Sequence, residues 1–360
     1  MTKKSLIILT AGGSGGHVYP AQALAEELKK AKYELALITD SRGQSNYKGE
    51  LSKIPNYCVF CGALVGKSKL FKLKSLFKTG FGVLQACYYL WKLKPKCVVG
   101  FGGYAAFPTC CAAILMGVDL VIHEQNSVMS RTNRILSRHA KLIALSFKNT
   151  KFAPEDKSVL VGLPVRDEIL KIKNSSYKKD KKLNVLILGG SQGAKIFSDV
   201  VPKAVVALSK ENQEKLRIVT QVRKDDIEGA KNIYDKTDVE VEISSFFENM
   251  PELYKQANLI ISRTGASSVF EIATVGRASV LVPLPTSADD HQSSNALTLK
   301  NCSYIFKQKD FKVSKIKEFL TEFIEDDKKL KLWSKLAYKE AIVDSSKLFK
   351  KAIEKEILDV

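Results

Sequence analysis

The feature that most constrains this chain is a repeated junction. Residues 6–16 read LIILTAGGSGG and residues 185–194 read VLILGGSQGA, each an apolar run closed by G-G-S-x-G and followed by helix-compatible sequence. A buried strand that turns through glycines into a helix is the opening unit of a doubly wound sheet. The two junctions lie 177 residues apart, about half of a 360-residue chain, which is long enough for two domains.

The rest of the chain supports that division. Ten short apolar runs (SLIILT, ELALIT, KCVVGF, DLVIHE, KLIALS, NVLILG, LRIVTQ, VEVEIS, NLIISR and SVLVPL) alternate with helical patterns. Such runs indicate parallel strands covered on both faces, and ten are more than one sheet normally needs. The polar stretch KIKNSSYKKDKK, residues 171–182, reads as the approach to a second domain. The expected fold is α/β: two Rossmann-like parallel-sheet domains, 1–163 and 164–344, facing across a cleft, with a last helix near 345–360 free to pack back on the N-terminal one.

What can the glycine loops hold? A helix N-terminus after a glycine turn offers unpaired N–H groups and the positive end of the helix dipole, so phosphate is the natural ligand. In GGSGGHVYP, Ser14 adds a hydroxyl, His17 stands at the mouth of the turn, and Pro20 suits the first helical turn. The dinucleotide pattern G-x-G-x-x-G is not matched, although Asp40 at the end of the second run keeps that reading open, and no Gly-Lys-Ser/Thr follows either loop. A plain strand-to-helix turn is the bland alternative. A third nest lies within residues 261–285, where TGASS precedes a helix carrying Glu271; that carboxylate suits ribose hydroxyls or is an ordinary early-helix acid.

Charge narrows the partners. Residues 1–165 hold 23 basic and 9 acidic side chains, a surplus of 14 out of a net +19, and no carboxylate occurs between Leu51 and Val118. That field attracts nucleic acid, anionic lipid or a phosphorylated substrate, unless it merely reflects a lysine-rich proteome. Seven cysteines suggest a reducing compartment rather than a disulfide framework, and the Cys58–Cys61 pair reads as structural. The start MTKKSLIILTAGG is too short in its apolar core for a signal peptide. Residues 97–118 are uncharged, but Gly100, Gly102, Gly103 and Pro108 break them into strand, turn and buried helix.

Several motifs together resemble one family. GGSGGHVYP, GFGGYAAFP (100–108), HEQN (123–126), GLPVR (162–166), GGSQGA, SRTGASSVFEIATVGRASVLVPLP and DDHQSSNAL (289–297) follow the order and spacing of the MurG family of bacterial peptidoglycan glycosyltransferases. The resemblance runs from residue 6 to about 306. It implies the GT-B fold and inverting transfer of GlcNAc from UDP-GlcNAc to the muramoyl C4 hydroxyl of lipid I, giving lipid II. It implies no cofactor and no metal, in keeping with the lack of a D-x-D motif. It also implies a peripheral protein on the cytoplasmic face of the inner membrane, with an acceptor-side N-terminal and a donor-binding C-terminal domain.

Carried over residue by residue, the donor contacts fall on Ser14, Gly15, Gly16, Asn126, Arg166 and Ser191, then on Ala266, Ser267, Ser268, Val269, Phe270 and Glu271, and on Gln292, which matches a sugar-binding glutamine. Three positions depart from the family pattern. Leu163 replaces an Asn, Phe247 replaces an Ile near the uracil while still offering an apolar face, and His291 stands in a Gln-Gln pair. Inverting transfer needs a base, and of four histidines His17 is the first candidate, with His123 the second.

Residues 66–91 form a basic amphipathic pattern. Leu70, Leu73, Leu76 and Phe77 fall on one side, and Lys67, Lys72, Lys74 and Lys78 cluster opposite. This is either a core helix with a solvated lysine face or a surface for anionic lipid. The lipid-linked acceptor favours the second. Three rival functions stay open: another GT-B transferase with a lipid acceptor, a dinucleotide oxidoreductase and a basic nucleic-acid module. The last lacks base-stacking aromatics and a recognition motif, so nucleic acid is not an expected partner.

Overall fold

A computed structural model of the chain describes residues 5–13, 15–41, 49–62, 69–175, 181–190 and 193–358. The chain forms two compact units, Met1–Arg166 with Ile342–Val360, and Asp167–Ala341. The sequence expectation had set the boundaries at 163 and 344.

The first unit is built on a parallel sheet of seven strands in the order β3-β2-β1-β4-β5-β6-β7. These are β1 Leu6–Thr10, β2 Glu34–Thr39, β3 Asn56–Cys58, β4 Cys97–Gly100, β5 Asp119–Glu124, β6 Leu142–Leu145 and β7 Ser158–Leu160. The second unit has six parallel strands in the order β10-β9-β8-β11-β12-β13. They are β8 Leu183–Leu188, β9 Leu216–Gln221, β10 Glu240–Ser244, β11 Leu259–Ser262, β12 Ala278–Leu281 and β13 Ser303–Ile305. Both units are doubly wound α/β domains. The strands beyond the ten apolar runs are β3, β7 and β13, three residues each and only partly buried at the sheet edges. An edge strand with one wet face shows no continuous apolar run.

Six helices matter below: α1 Gly15–Lys30, α2 Lys69–Leu93, α3 Ala106–Leu115, α4 Ala266–Val275, α5 His291–Ala296 and α6 Ser345–Ile353. The alternation of side chains along β1 shows how the first unit is layered. Ile7 and Leu9 enter a core with Leu24 and Leu28 of α1 and with Phe349 and Ile353 of α6. Ile8 points the other way, among Ala86 and Leu90 of α2 and Ala112 and Ala113 of α3. The α6 helix thus completes the N-terminal core from the far end of the chain. Pro20 lies inside α1, which starts at Gly15, so it stands in the second turn and not the first.

Cys61 is buried and donates its thiol to Asp40 Oδ2 at 3.3 Å, and all seven cysteines are free. The same bond engages the carboxylate that the dinucleotide reading required.

Candidate active site

In each sheet the strand order reverses once, between β1 and β4 in the first unit and between β8 and β11 in the second. Loops leaving the carboxyl ends of two such neighbours turn to opposite faces, which opens a crevice where α/β proteins bind ligands. The glycine motifs leave from these four strand ends.

In the first unit the two loops touch through bare backbone. Gly12 N donates to the Gly102 carbonyl at 3.0 Å. A Cβ on Gly103, whose φ is +78°, would stand 2.9 Å from Gly12 Cα. The half-buried ring of His17 lies against this glycine floor, 3.3 Å from where Cβ atoms of Gly102 and Gly103 would sit. Burial holds its pKa below the usual 6.5, only partly offset by the Phe101 carbonyl and the Gln125 side chain. A neutral imidazole results, as a general base requires. Gly15 and Gly16 are exposed at the start of α1, and Ser14 lies outside the described residues. Arg166 sets its guanidinium 4.8 Å from the Tyr19 ring centre, over the same helix start.

The HEQN segment ends β5 and divides its work by residue. Glu124 is buried, which raises its pKa, and it accepts hydrogen bonds from Asn126 N at 3.0 Å, Ser130 N at 2.9 Å and Asn133 Nδ2 at 2.8 Å. It therefore shapes the loop that presents the half-buried Asn126. His123 does not fit the base role assigned as second choice. Its ring is fully buried, with Gln125 Nε2 at 3.1 Å from Nδ1, Ser146 Oγ at 3.2 Å from Nε2 and the Phe349 ring stacked at 5.2 Å. Burial depresses its pKa to about 3. With both nitrogens engaged and no open face, it is a core residue.

In the second unit, Gly193 N donates to the Gly190 carbonyl at 3.0 Å and closes the GGSQGA turn; Ser191 lies outside the described residues. Helix α4 starts behind Gly265 with no side-chain cap, and a Cβ on Gly265 would meet nothing within 4 Å. Ala266, Ser267 and Ser268 thus form an open helix N-terminus suited to a diphosphate. Val269 and Phe270 follow in the same helix with both side chains buried in the core, and Val269 N bonds the Gly265 carbonyl at 3.1 Å. Glu271, one turn in, accepts from Tyr254 OH at 2.9 Å.

Gln292, near the start of α5, ties two loops together: its Oε1 accepts from Leu284 N at 2.9 Å and Thr264 N at 3.3 Å. Its amide nitrogen carries no hydrogen bond among the described residues. His291 Nδ1 bonds the Ala288 carbonyl at 2.7 Å. Phe247 is corrected as well: it is 8% exposed, whereas its neighbour Phe246 is 69% exposed and presents the open ring. Sequence reasoning also missed Thr264 and Asn295. Thr264 Oγ1 donates to the Gln292 carbonyl at 2.7 Å, and Asn295 Nδ2 donates to the Thr264 carbonyl at 3.1 Å. Only a fold that brings residues 264 and 292 together reveals them.

Comparison with known proteins decides the family. Residues 7–145 match the glycosyltransferase family 28 N-terminal domain, and residues 184–353 match the family 28 C-terminal domain. A relative from Paramagnetospirillum magneticum, named UDP-N-acetylglucosamine–N-acetylmuramyl-(pentapeptide) pyrophosphoryl-undecaprenol N-acetylglucosamine transferase, is 43% identical over 86% of this chain and 85% of its own. A Rickettsia bellii relative of the same name is 38% identical over 91% and 93%. The crystal structure of Acinetobacter baumannii MurG superposes with a TM-score of 0.79 at 31% identity, covering 98% of this chain and 99% of that one. The chain belongs to the MurG family of glycosyltransferases. The resemblance drawn from its motifs is borne out, and so is the fold class.

Within this MurG-family chain, α2 is packed against convention. Its buried face carries Ser75, Thr79, Gly82, Ala86 and Leu90, mostly small residues. A Cβ on Gly82 would collide with the Phe60 carbonyl, so the helix lies directly on that chain segment. The large apolar side chains face out: Leu73, Leu76, Phe77, Phe81, Leu84, Tyr88 and Trp91 are exposed, Phe77 by 73% and Trp91 by 64%. Lys74 and Lys78 are exposed beside them. Lys67 and the side chains of Leu70 and Lys72 lie outside the described residues. The bland alternative, a core helix with a lysine face, is overturned, because the apolar face is the wet one. No helix among the described residues is long and apolar enough to cross a membrane.

Proposed function

We infer that the chain transfers GlcNAc from UDP-GlcNAc to the muramoyl C4 hydroxyl of lipid I, forming lipid II with inversion at the anomeric carbon. Membership of the MurG family, whose relatives carry that reaction in their names over most of this chain, is the observation that carries the reading. The acceptor hydroxyl oxygen forms the new bond to the anomeric carbon. The bond from that carbon to the β-phosphate oxygen breaks, and its electron pair leaves with UDP.

The residues have matching parts. His17 Nε2 takes the proton of the acceptor hydroxyl. The N-terminus of α4, with Ala266, Ser267 and Ser268, meets the growing charge on the leaving diphosphate through backbone N–H groups, assisted by Arg166. Glu271 receives ribose hydroxyls, the free amide nitrogen of Gln292 reaches the sugar, and Gly15, Gly16 and Asn126 complete the donor contacts. The uncapped α4 start and the neutral His17 support these assignments.

The lipid acceptor must be met at a membrane. The outward apolar stripe of α2, flanked by Lys74 and Lys78, supports peripheral attachment to anionic lipid on the cytoplasmic face. The primary test is UDP release from UDP-GlcNAc with and without a soluble lipid I analogue. Release only with the analogue supports the transferase. Donor binding without release under either condition overturns the acceptor assignment.

A further inference from the structure

The protonation of His17 follows from one backbone carbonyl. Gln125 Nε2 donates to the Phe101 carbonyl at 2.7 Å. A carbonyl only accepts, so the Gln125 amide has a single permitted orientation. The same Nε2 lies 3.1 Å from His123 Nδ1. The second amide hydrogen goes there, His123 Nδ1 accepts, and the His123 proton sits on Nε2, which donates to Ser146 Oγ at 3.2 Å.

With both amide hydrogens committed, Gln125 has only Oε1 to offer, and this atom and His17 Nδ1 both lie beside Gly102. Measured from the place a Gly102 Cβ would take, His17 Nδ1 lies at 3.4 Å and Gln125 Oε1 at 3.7 Å. His17 Nδ1 is buried with no hydrogen-bond partner among the described residues, and the polar groups that act on the imidazole are the Phe101 carbonyl and the Gln125 side chain, which has only its oxygen left to present. Both are acceptors. A lone pair on Nδ1 would face these acceptors with no water to screen the repulsion, whereas an N–H there is attracted to both.

We propose that Gln125 is a positioning residue that holds His17 as its Nδ1–H tautomer, leaving Nε2 with the lone pair that receives the acceptor proton. The last clause rests on the reading of His17 as the base; the tautomer itself does not. The support extends below the site. Phe349 of α6 stacks on His123 at 5.2 Å, Phe101 meets the same ring edge-on at 5.5 Å, and His123 in turn fixes Gln125. An amide suits this place better than a carboxylate, because it orients the imidazole without adding a charge that favours the imidazolium.

The test is nitrogen NMR on the whole chain with 15N-labelled histidine, where four imidazoles are assigned by single substitutions. Near neutral pH, His17 is expected with a protonated Nδ1 and a bare Nε2, and His123 with the reverse. A His17 that carries its proton on Nε2, or exchanges between the two, overturns the proposal. Gln125→Leu is expected to mix the His17 tautomers and lower kcat roughly tenfold or more, with KM for UDP-GlcNAc unchanged. An unaltered tautomer together with unaltered kcat removes Gln125 from the role. Should that variant fail to fold, the wild-type spectrum still decides the tautomer. Normal turnover by His17→Ala overturns the base reading alone.

Discussion

Gly12 and Gly103 hold the two N-terminal glycine loops in backbone contact, with 2.9 Å between Gly12 Cα and the point where a Gly103 Cβ would begin. No side chain fits between them, and the His17 ring rests on the same floor.

Gly103→Ala is therefore expected to lose about 1–3 kcal/mol of stability through its left-handed backbone and the clash, and to lose most turnover as the His17 ring is displaced. Gly117→Ala is the control. Its φ is also positive, at +67°, but nothing lies within 4 Å of the added carbon, so only about 1 kcal/mol is expected, with activity intact. Thermal unfolding and UDP release measured on both variants separate backbone strain from site damage.

His17→Ala should bind UDP-GlcNAc normally and lose about 10²–10⁴ in kcat. The pH profile carries a sign. A base works deprotonated, so the rate falls as acid protonates it. Because burial lowers the His17 pKa from 6.5, the acid limb of kcat/KM belongs below pH 6.5. A limb centred above that value contradicts His17 as the base.

Gln292 allows its two ends to be tested apart. Gln292→Glu keeps an oxygen for Thr264 N and Leu284 N but loses the amide nitrogen, so KM for UDP-GlcNAc should rise about tenfold while the fold stays intact. Gln292→Leu should show the same rise and lower the melting temperature too, because both backbone donors lose their partner. Equal KM for Gln292→Glu and the native chain contradicts a sugar contact.

On α2, Phe77→Asp and Trp91→Asp should leave folding unchanged, since both rings are exposed, yet weaken binding to anionic vesicles roughly tenfold each. Lys74→Glu with Lys78→Glu should weaken it by about 1 kcal/mol per residue or more at low salt, and less as salt rises. Sedimentation with anionic and neutral vesicles reads both effects. Binding indifferent to the apolar pair overturns the attachment surface.

Much of the fold was legible because a doubly covered parallel strand is written as an uninterrupted apolar run, and β1 or β8 can hardly be read otherwise. The edge strands β7 and β13 could not be seen, since a segment such as Ser158–Leu160 has too little buried surface to leave a pattern. In the site, the glycine loops and His17 were visible as local sequence. What failed was everything decided by burial. Phe246 and Phe247 are chemically identical neighbours, and only the packing of the second domain determines which ring is open. His123 looked reactive beside Glu124 until Phe349, more than two hundred residues later, closed its face. The outward apolar face of α2 was one of two readings that its pattern allowed, because periodicity locates a face without saying what covers it.

The return of α6 to the first core has a consequence for the order in which the protein is made. Phe349, Ile353 and Ile357 are wholly buried among side chains of β1 and α1, yet the ribosome releases them only after the whole of the second unit. The nascent first unit waits with a hole in its interior while the second, continuous from Asp167 to Ala341, is synthesised entire. The first unit is thus closed only after the second has been made, and a nonsense mutation just before Phe349 would damage a core laid down more than three hundred residues earlier.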